Sequence, residues 1–249
     1  MLNDLEILAD ARSIEDVWAH LVKYMDGYGF DRLIYGFTRF RTANSYGDPK
    51  DVLILSNFGD AYLTGFIDDG LYFDAPMVQW AAENVGASSW QVMIDKAMAG
   101  EMPPEALRVL EFNRAHNVTA GYSIGFRDAS ARAKGAMGLA ARAGITQAEV
   151  DATWAEHGRE IFVVANMAHL KLMCLPYSGT RRMLTNRQRE VLEWVGDGKT
   201  TQDIATIMDL TPATVEKHLR LARESLDVET TAQAVLKASF QNQIFLLET

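Results

Sequence analysis

Apolar residues recur along this chain with two different periods. Over residues 13–28, SIEDVWAHLVKYMDGY, the positions Val17, Trp18, Leu21, Val22 and Met25 fall at helical spacing, the mark of an amphipathic helix. Ser13, with Asp16 three residues on, resembles a capping box. LIYGFTRF (33–40) and DVLILSN (51–57) then predict strands, separated by the turn-rich TANSYGDP. Residues 60–69 and 76–85 read as helices, and GYSIGF (121–126) and GAMGLAA (135–141) as two more strands. Residues 146–173 predict a long helix capped by Thr146, with Val150, Trp154, Ile161, Val164 and Met167 on its inner side. Strands with helices on both sides of them predict an α/β sandwich.

The pattern changes after residue 173. Pro176 and Gly179 break regular structure, so residues 174–182 read as a linker between a domain at 1–173 and a second at 183–249. The second is all helix and predicts four. Thr185 with Gln188 opens one carrying Val191, Leu192 and Val195 on one face. Thr200 with Asp203 opens a short second, with Ile204, Ala205, Ile207 and Met208 expected buried. Thr211-Pro212 starts a third that runs to about Leu226, proline sitting where its missing N–H costs nothing. A fourth covers roughly 231–241. A tight Asp209-Leu210 turn between the middle two is helix-turn-helix grammar.

Charge sharpens this division. Residues 181–249 hold nine of the 24 Lys and Arg and ten of the 33 Asp and Glu, so the acidity of the −9 chain sits before them. On the third helix Val215, Leu219, Ala222 and Leu226 share a face expected to pack on Ile204 and Val191. The other side shows Ala213, Thr214, Glu216, Lys217, Arg220 and Arg223. A helix with such an edge fits the major groove of DNA; a bundle with a solvated charged face would look the same.

Composition removes other classes. With 48% apolar and 23% charged residues the chain folds rather than remaining disordered. No apolar run approaches the ~18 residues of a membrane helix, and the start lacks the basic region of a secretory signal. The single Cys174 excludes an internal disulfide, fits a reducing cytoplasm and reads as structural. The five histidines form no H-x-x-x-H pair, so no metal is expected. Without G-x-S-x-G, P-loop or G-x-G-x-x-G, an enzyme has no motif to stand on.

The segment LTNRQREVLEWVGDGKTTQDIATIMDLTPATVEKHLRLARESLDV, followed by TTAQAV, resembles the helix-turn-helix domain of LuxR-type and NarL-type transcription regulators. Two positions depart from the family: Thr231, where arginine is usual, and the exposed acid Glu216, which either accepts from cytosine or repels phosphate. The resemblance implies that Lys217 and Arg220 reach the groove. Lys199, Thr200, Ala213, Thr214 and Arg223 lie along the DNA, with Thr200, Thr214 and Arg223 holding its backbone. It further implies a homodimer reading a pseudo-palindromic operator, with RNA polymerase a further candidate partner.

The receiver-domain acidic cluster of NarL-type proteins does not occur in the first 175 residues. That part instead resembles the autoinducer-binding domain of LuxR-type quorum-sensing regulators, which implies an α+β fold, an α/β/α sandwich with an antiparallel sheet. The resemblance rests on Gly36-Phe37-Thr38, then Phe58, Tyr62 and Phe66, then Pro76 and Trp90, then Ala120-Gly121-Tyr122-Ser123 and Gly135-Ala136-Met137-Gly138. It implies an N-acyl-homoserine lactone or related small molecule as ligand, with no other cofactor. Trp90 would donate to a lactone carbonyl and Tyr62 to an acyl carbonyl. Phe58 and Phe66 would form walls, and Gly36, Thr38, Met77, Ser123 and Gly138 would lie along the pocket.

One departure bears on the ligand. The family has Asp-Pro, its aspartate accepting the ligand amide N–H, where this chain has Ala75-Pro76. Asp74 is one residue earlier and is expected to face away. An unpaired amide in a buried pocket costs about 1–3 kcal/mol, roughly 5- to 150-fold in affinity. Two other readings follow: a ligand-independent orphan regulator whose first domain serves dimerisation or protein contacts, and a lactone-converting enzyme fused to a DNA-binding domain.

Overall fold

A computed structural model describes residues 1–42, 45–128, 130–177 and 182–245. The chain divides into two compact units, Met1–Gly47 with Val52–Met173, and Asp48–Asp51 with Cys174–Thr249. Of the expected linker, residues 178–181 lie outside the described residues.

The first unit begins with α1 (Leu2–Asp10) and α2 (Ile14–Asp26), the latter capped by Ser13, whose hydroxyl accepts from Asp16 N–H. Five strands among the described residues make one antiparallel sheet: β1 (Phe30–Thr38), β2 (Leu53–Ser56), β3 (Gly86–Ser89), β4 (Gly121–Gly125) and β5 (Lys134–Ala141). Their order is β2-β1-β5-β4-β3. Between β2 and β4 lie α3 (Asp60–Leu63), α4 (Pro76–Glu83), α5 (Gln91–Met98) and α6 (Pro104–Ala115). The long α7 (Gln147–Cys174) closes the unit. Thr146 and Glu149 cap it reciprocally: Glu149 N–H donates to Thr146 Oγ1, and the Glu149 carboxylate accepts from Thr146.

Alternation within the strands gives the sheet two unlike faces. Leu33, Tyr35, Phe37, Met137 and Leu139 are fully buried on one, the side of α2 and of α7, whose His169 bonds the Tyr35 hydroxyl. Ile34, Gly36, Ala136 and Gly138 on the other are only half-buried. This second face is the one that positions the candidate site.

The structure corrects the helix expected at 60–69. There α3 gives way to a π-helical turn at Thr64–Asp68 and then a 3-10 turn at Leu71–Asp74. Gly70, at φ +80°, adopts the left-handed conformation that glycine supplies without steric cost, separating the two turns. The chain pattern also gave no sign of α1, α5, α6 or β3. The strand β3, GASS, has no large apolar side chain to mark it.

In the second unit α8 (Asn186–Gly196), α9 (Thr201–Ile207), α10 (Pro212–Leu226) and α11 (Thr231–Phe240) follow one another. Thr185 with Gln188, Thr200 with Asp203 and Thr230 with Gln233 each form a reciprocal capping box, and Thr211 caps α10. Val191, Leu192, Ile204, Val215, Leu219 and Ala222 pack into one core. Within the same unit Lys237 donates to the buried Asp51 carboxylate at 2.7 Å. The expectation that Ile207 is buried fails, since it is 46% exposed. At about 100° per residue it falls on the side of Ile204 away from Ala205, outside the arc that Ile204, Ala205 and Met208 share. Cys174 is exposed, which does not fit a packing role.

Candidate functional site

On the half-buried sheet face the register places Ile34, Gly138 and Ser123 in one row and Gly36, Ala136 and Gly125 in the next. These are mostly small residues. A Cβ built on Gly36 would meet no atom within 4 Å, and one on Gly138 would touch only Ile34. The floor is therefore open at Gly36. Its sides are close, because Trp90 lies over Gly121, and the end of α4 approaches Gly125 so nearly that any side chain there would collide with its backbone.

Aromatic residues pack against Ile34 and Ala140 of this face. Phe58, Tyr62 and Phe66 recur every four residues and stack in series, with ring centroids 4.3 and 5.2 Å apart. Phe112 of α6 tilts against Tyr62 at 5.3 Å, approaching over Gly65. Together with Ala75, Val109 and Ala140 these rings form one apolar cluster, with Ile34 and Trp90 packed against it. Thus Phe58, Tyr62, Phe66, Ala75 and Trp90 are brought together, as are Ser123 and Gly138 in their row.

Two neutral donors serve this cluster. Trp90 Nε1 donates to Ser123 Oγ at 3.0 Å, and the Tyr62 hydroxyl to Asn113 Oδ1 at 2.9 Å. Burial pushes the Tyr62 hydroxyl well above its ordinary value, so it remains a protonated donor. Asn113 escaped the sequence reading because α6 buries only Ala106 and Val109 and shows a weak apolar stripe.

Ala75 is 5% exposed and forms the N-cap of α4, with no side-chain acceptor to offer. The Asp74 side chain is 42% exposed and lies 3.9 Å from the Arg108 guanidinium. Thr38 and Met77 stand outside the cluster as well. Thr38 spends its hydroxyl on the turn after β1, donating to Tyr46 O and accepting from Phe40 N–H. Met77 lies half-buried in the first turn of α4.

In the second unit the stripe Val215, Leu219, Ala222 and Leu226 is buried, which turns the other side of α10 outward. Ala213, Glu216, Lys217 and Arg220 are exposed, while Thr214 and Arg223 are half-buried. Several of these side chains have internal partners. Glu216 accepts from Thr201 Oγ1 at 2.9 Å, joining α10 to the start of α9. Arg220 pairs with Glu224. Arg223 donates to Thr231 Oγ1 at 2.8 Å, a link possible because Thr231 stands where the family resemblance led us to expect arginine. Thr214 shares a hydrogen bond with Thr211. Lys217 makes no side-chain bond among the described residues and is the cation on this face left to an outside partner. Lys199 is exposed beside the capped start of α9 at Thr200.

An α+β unit with an open sheet face, joined in one chain to a helix-turn-helix unit, defines a two-domain transcription regulator. The autoinducer binding domain family matches residues 13–172, and the bacterial regulatory proteins of the luxR family match residues 182–238. The chain belongs to the LuxR family of bacterial transcription regulators. It is 30% identical over 220 residues to the transcriptional activator SolR of Ralstonia nicotianae, covering 84% of each chain. The structure of Escherichia coli SdiA superposes with a TM-score of 0.56 at 17% identity over 98% of both chains. SdiA in complex with octanoyl-rac-glycerol gives 0.55 at 16%, over 96% and 93%. The N-acylhomoserine lactone dependent factor CepR2 of Burkholderia cenocepacia gives 0.54 at 17%, over 69% of this chain and 92% of that one. At these identities the structural likeness concerns the fold.

Proposed function

We propose that residues 1–173 bind an acyl-homoserine lactone or a related small amphiphile between the aromatic cluster and the open sheet face, and that binding controls DNA recognition by residues 183–249. The observation that carries this reading is the open space at Gly36 on the sheet face whose Ile34 and Ala140 pack with the stacked aromatic rings. An apolar cavity with a few placed polar groups is what such a ligand needs. CepR2 and SdiA indicate that this fold accommodates both acyl lactones and acylglycerols. The protein acts as a homodimer on a pseudo-palindromic operator, since one recognition helix spans too few base pairs, with RNA polymerase as a further partner. It works in the cytoplasm and is not an enzyme.

A second reading has an observation of its own. Trp90 and Tyr62 already have protein acceptors in Ser123 and Asn113, and Ala75 offers none to a ligand. That pattern favours an orphan regulator acting without ligand. Thermal unfolding of the purified chain against a panel of acyl-homoserine lactones separates the two. A ligand that binds only the folded state raises the melting temperature by mass action. A concentration-dependent rise supports the sensor reading, and its absence across the panel in a folded protein supports the orphan.

A further inference from the structure

We propose that Asp51 is a positioning residue through which the first unit acts on α10, whatever ligand the first unit takes; this rests on the control of DNA recognition proposed above. The connection that leaves β1 at Thr38 returns to the sheet at Leu53, opposite Phe37. Between those points the chain leaves the first unit, since Asp48–Asp51 belong to the second. Asp48 shapes this piece into a 3-10 turn at Pro49–Asp51. Its carboxylate accepts from Lys50 N–H and its carbonyl from Asp51 N–H, both at 2.9 Å. The turn presents the Asp51 carboxylate to Lys237 of α11 at 2.7 Å, with 6% of the Asp51 and 11% of the Lys237 side chain exposed. Gln241 Nε2 approaches the other carboxylate oxygen at 3.5 Å.

Lys237 lies on the buried side of α11 with Ala234 and Ala238. A helical domain complete in itself would carry an apolar residue there; the lysine suits the carboxylate that Asp48–Asp51 brings. The chain passes between the units at 47–48, 51–52 and 173–174. Pieces next to these crossings end on one place, the last turn of α11. Beside the Asp51 pair, Tyr177 N–H donates to Gln241 O, and Asn242 Nδ2 donates to Leu175 O. That helix in turn holds α10. Ala234 and Ala238 enter the core with Val215, Leu219 and Ala222, and Thr231 accepts from Arg223. On the other side of the connection Thr38 donates to Tyr46 O, and the Tyr46 ring stacks on Phe73, two residues before Ala75. The strand that carries Gly36 and the helix that supports α10 are therefore linked by a short stretch of chain fastened at Asp51. An opening of β1 frees Asp48–Asp51, takes the carboxylate from Lys237 and loosens α11 against α10.

Hydrogen exchange of the full chain, read on peptides from α11 and needing no ligand, tests this. Leu33→Ala empties a fully buried position of β1 and so loosens the first unit. In the parent it is expected to lower amide protection in α11 by at least about tenfold, because openings of the first unit release the fastening. The double variant Asp51→Ala/Lys237→Met removes the pair without leaving one charge buried alone. In that background the same Leu33→Ala is expected to change α11 protection by less than about twofold, as for uncoupled sites. An equal loss in both backgrounds means that control passes by another route, and overturns the role of Asp51 alone. No loss in either means that the first unit does not act on the second, and the control of DNA recognition falls with the proposal. Asp51→Asn gives a second reading that does not depend on the double variant folding. Losing one partner of a buried ion pair is expected to lower α11 protection by roughly 100-fold, with β4 and β5 unchanged. An α11 as well protected as the parent's overturns the proposal.

Discussion

The two units use their interiors in opposite ways. In the second, side chains from all four helices meet in one core, and the residues aimed at DNA stand outside it on α10. In the first, one sheet face is filled in the same manner by Leu33, Tyr35, Phe37, Met137 and Leu139, but the other is floored by Gly36, Ala136 and Gly138. A surface site can be added to a finished core. An interior site requires side chains to be withheld from it, and glycine in a central strand, ordinarily costing about 0.5–1 kcal/mol against alanine, is how that is done.

Filling and emptying should therefore have opposite consequences in the two units. Leu219→Ala removes a large side chain from the closed core and is expected to destabilise the second unit by about 2–5 kcal/mol. Gly36→Val adds atoms where a Cβ meets nothing, in a strand that suits a β-branched residue. It is expected to unfold no earlier than the parent and to lose any ligand-induced rise in melting temperature. A Gly36→Val protein that unfolds earlier would mean the space is needed for packing, and the contrast between the units would fall.

On the outside of the second unit the contrast can be sharpened. Lys217→Ala is expected to weaken DNA binding with no change in thermal unfolding, because this lysine makes no side-chain bond among the described residues. If it contacts phosphate, the loss is uniform across sequences and the salt slope falls by about one. Arg223→Ala breaks the bond to Thr231 and is expected to lower stability by about 0.5–1.5 kcal/mol as well. Gel-shift titration at several salt concentrations beside thermal unfolding checks both. Equal behaviour of the two variants would show that the Arg223 bond holds nothing in place.

How far each unit was legible follows from the same contrast. The helix-turn-helix announced itself because threonine caps, a proline at the first helical position and a four-three-four apolar stripe are local signals, all within α8 to α10. Ile207 was misplaced because a seven-residue helix leaves its last apolar position undetermined. In the first unit the strands were visible as apolar runs, while Phe58, Tyr62 and Phe66 entered through the family resemblance alone. The pocket itself was not visible, since open space over Gly36 arises from residues in strands far apart in sequence. Asn113 and the Trp90–Ser123 bond were hidden for the same reason, and only the family resemblance had marked Trp90 and Ser123 as site residues. The edge strand β3 carried no pattern because GASS has no large side chain to alternate.

One feature is common to both units and predicts a shared response. Thr146 with Glu149 starts α7, and Thr200 with Asp203 starts α9, each acid accepting from the threonine hydroxyl and backbone N–H. Those hydrogen bonds hold both carboxyls below their ordinary values of 4.5 and 3.8. A group whose folded value is depressed contributes stability above its unfolded value, and that contribution is lost as pH falls through the folded one. Acid should thus begin to weaken α7 below about pH 4.5 and α9 below about pH 3.8. Both acids are exposed at helix starts, so this is the smallest effect of the set. Asp203→Asn should flatten the acid limb of the second unit's unfolding curve while leaving the first unit's response in place, as followed by thermal melts from pH 6 to 3. An unchanged limb in Asp203→Asn would place the acid sensitivity elsewhere and leave the Thr200 box with a geometric role alone.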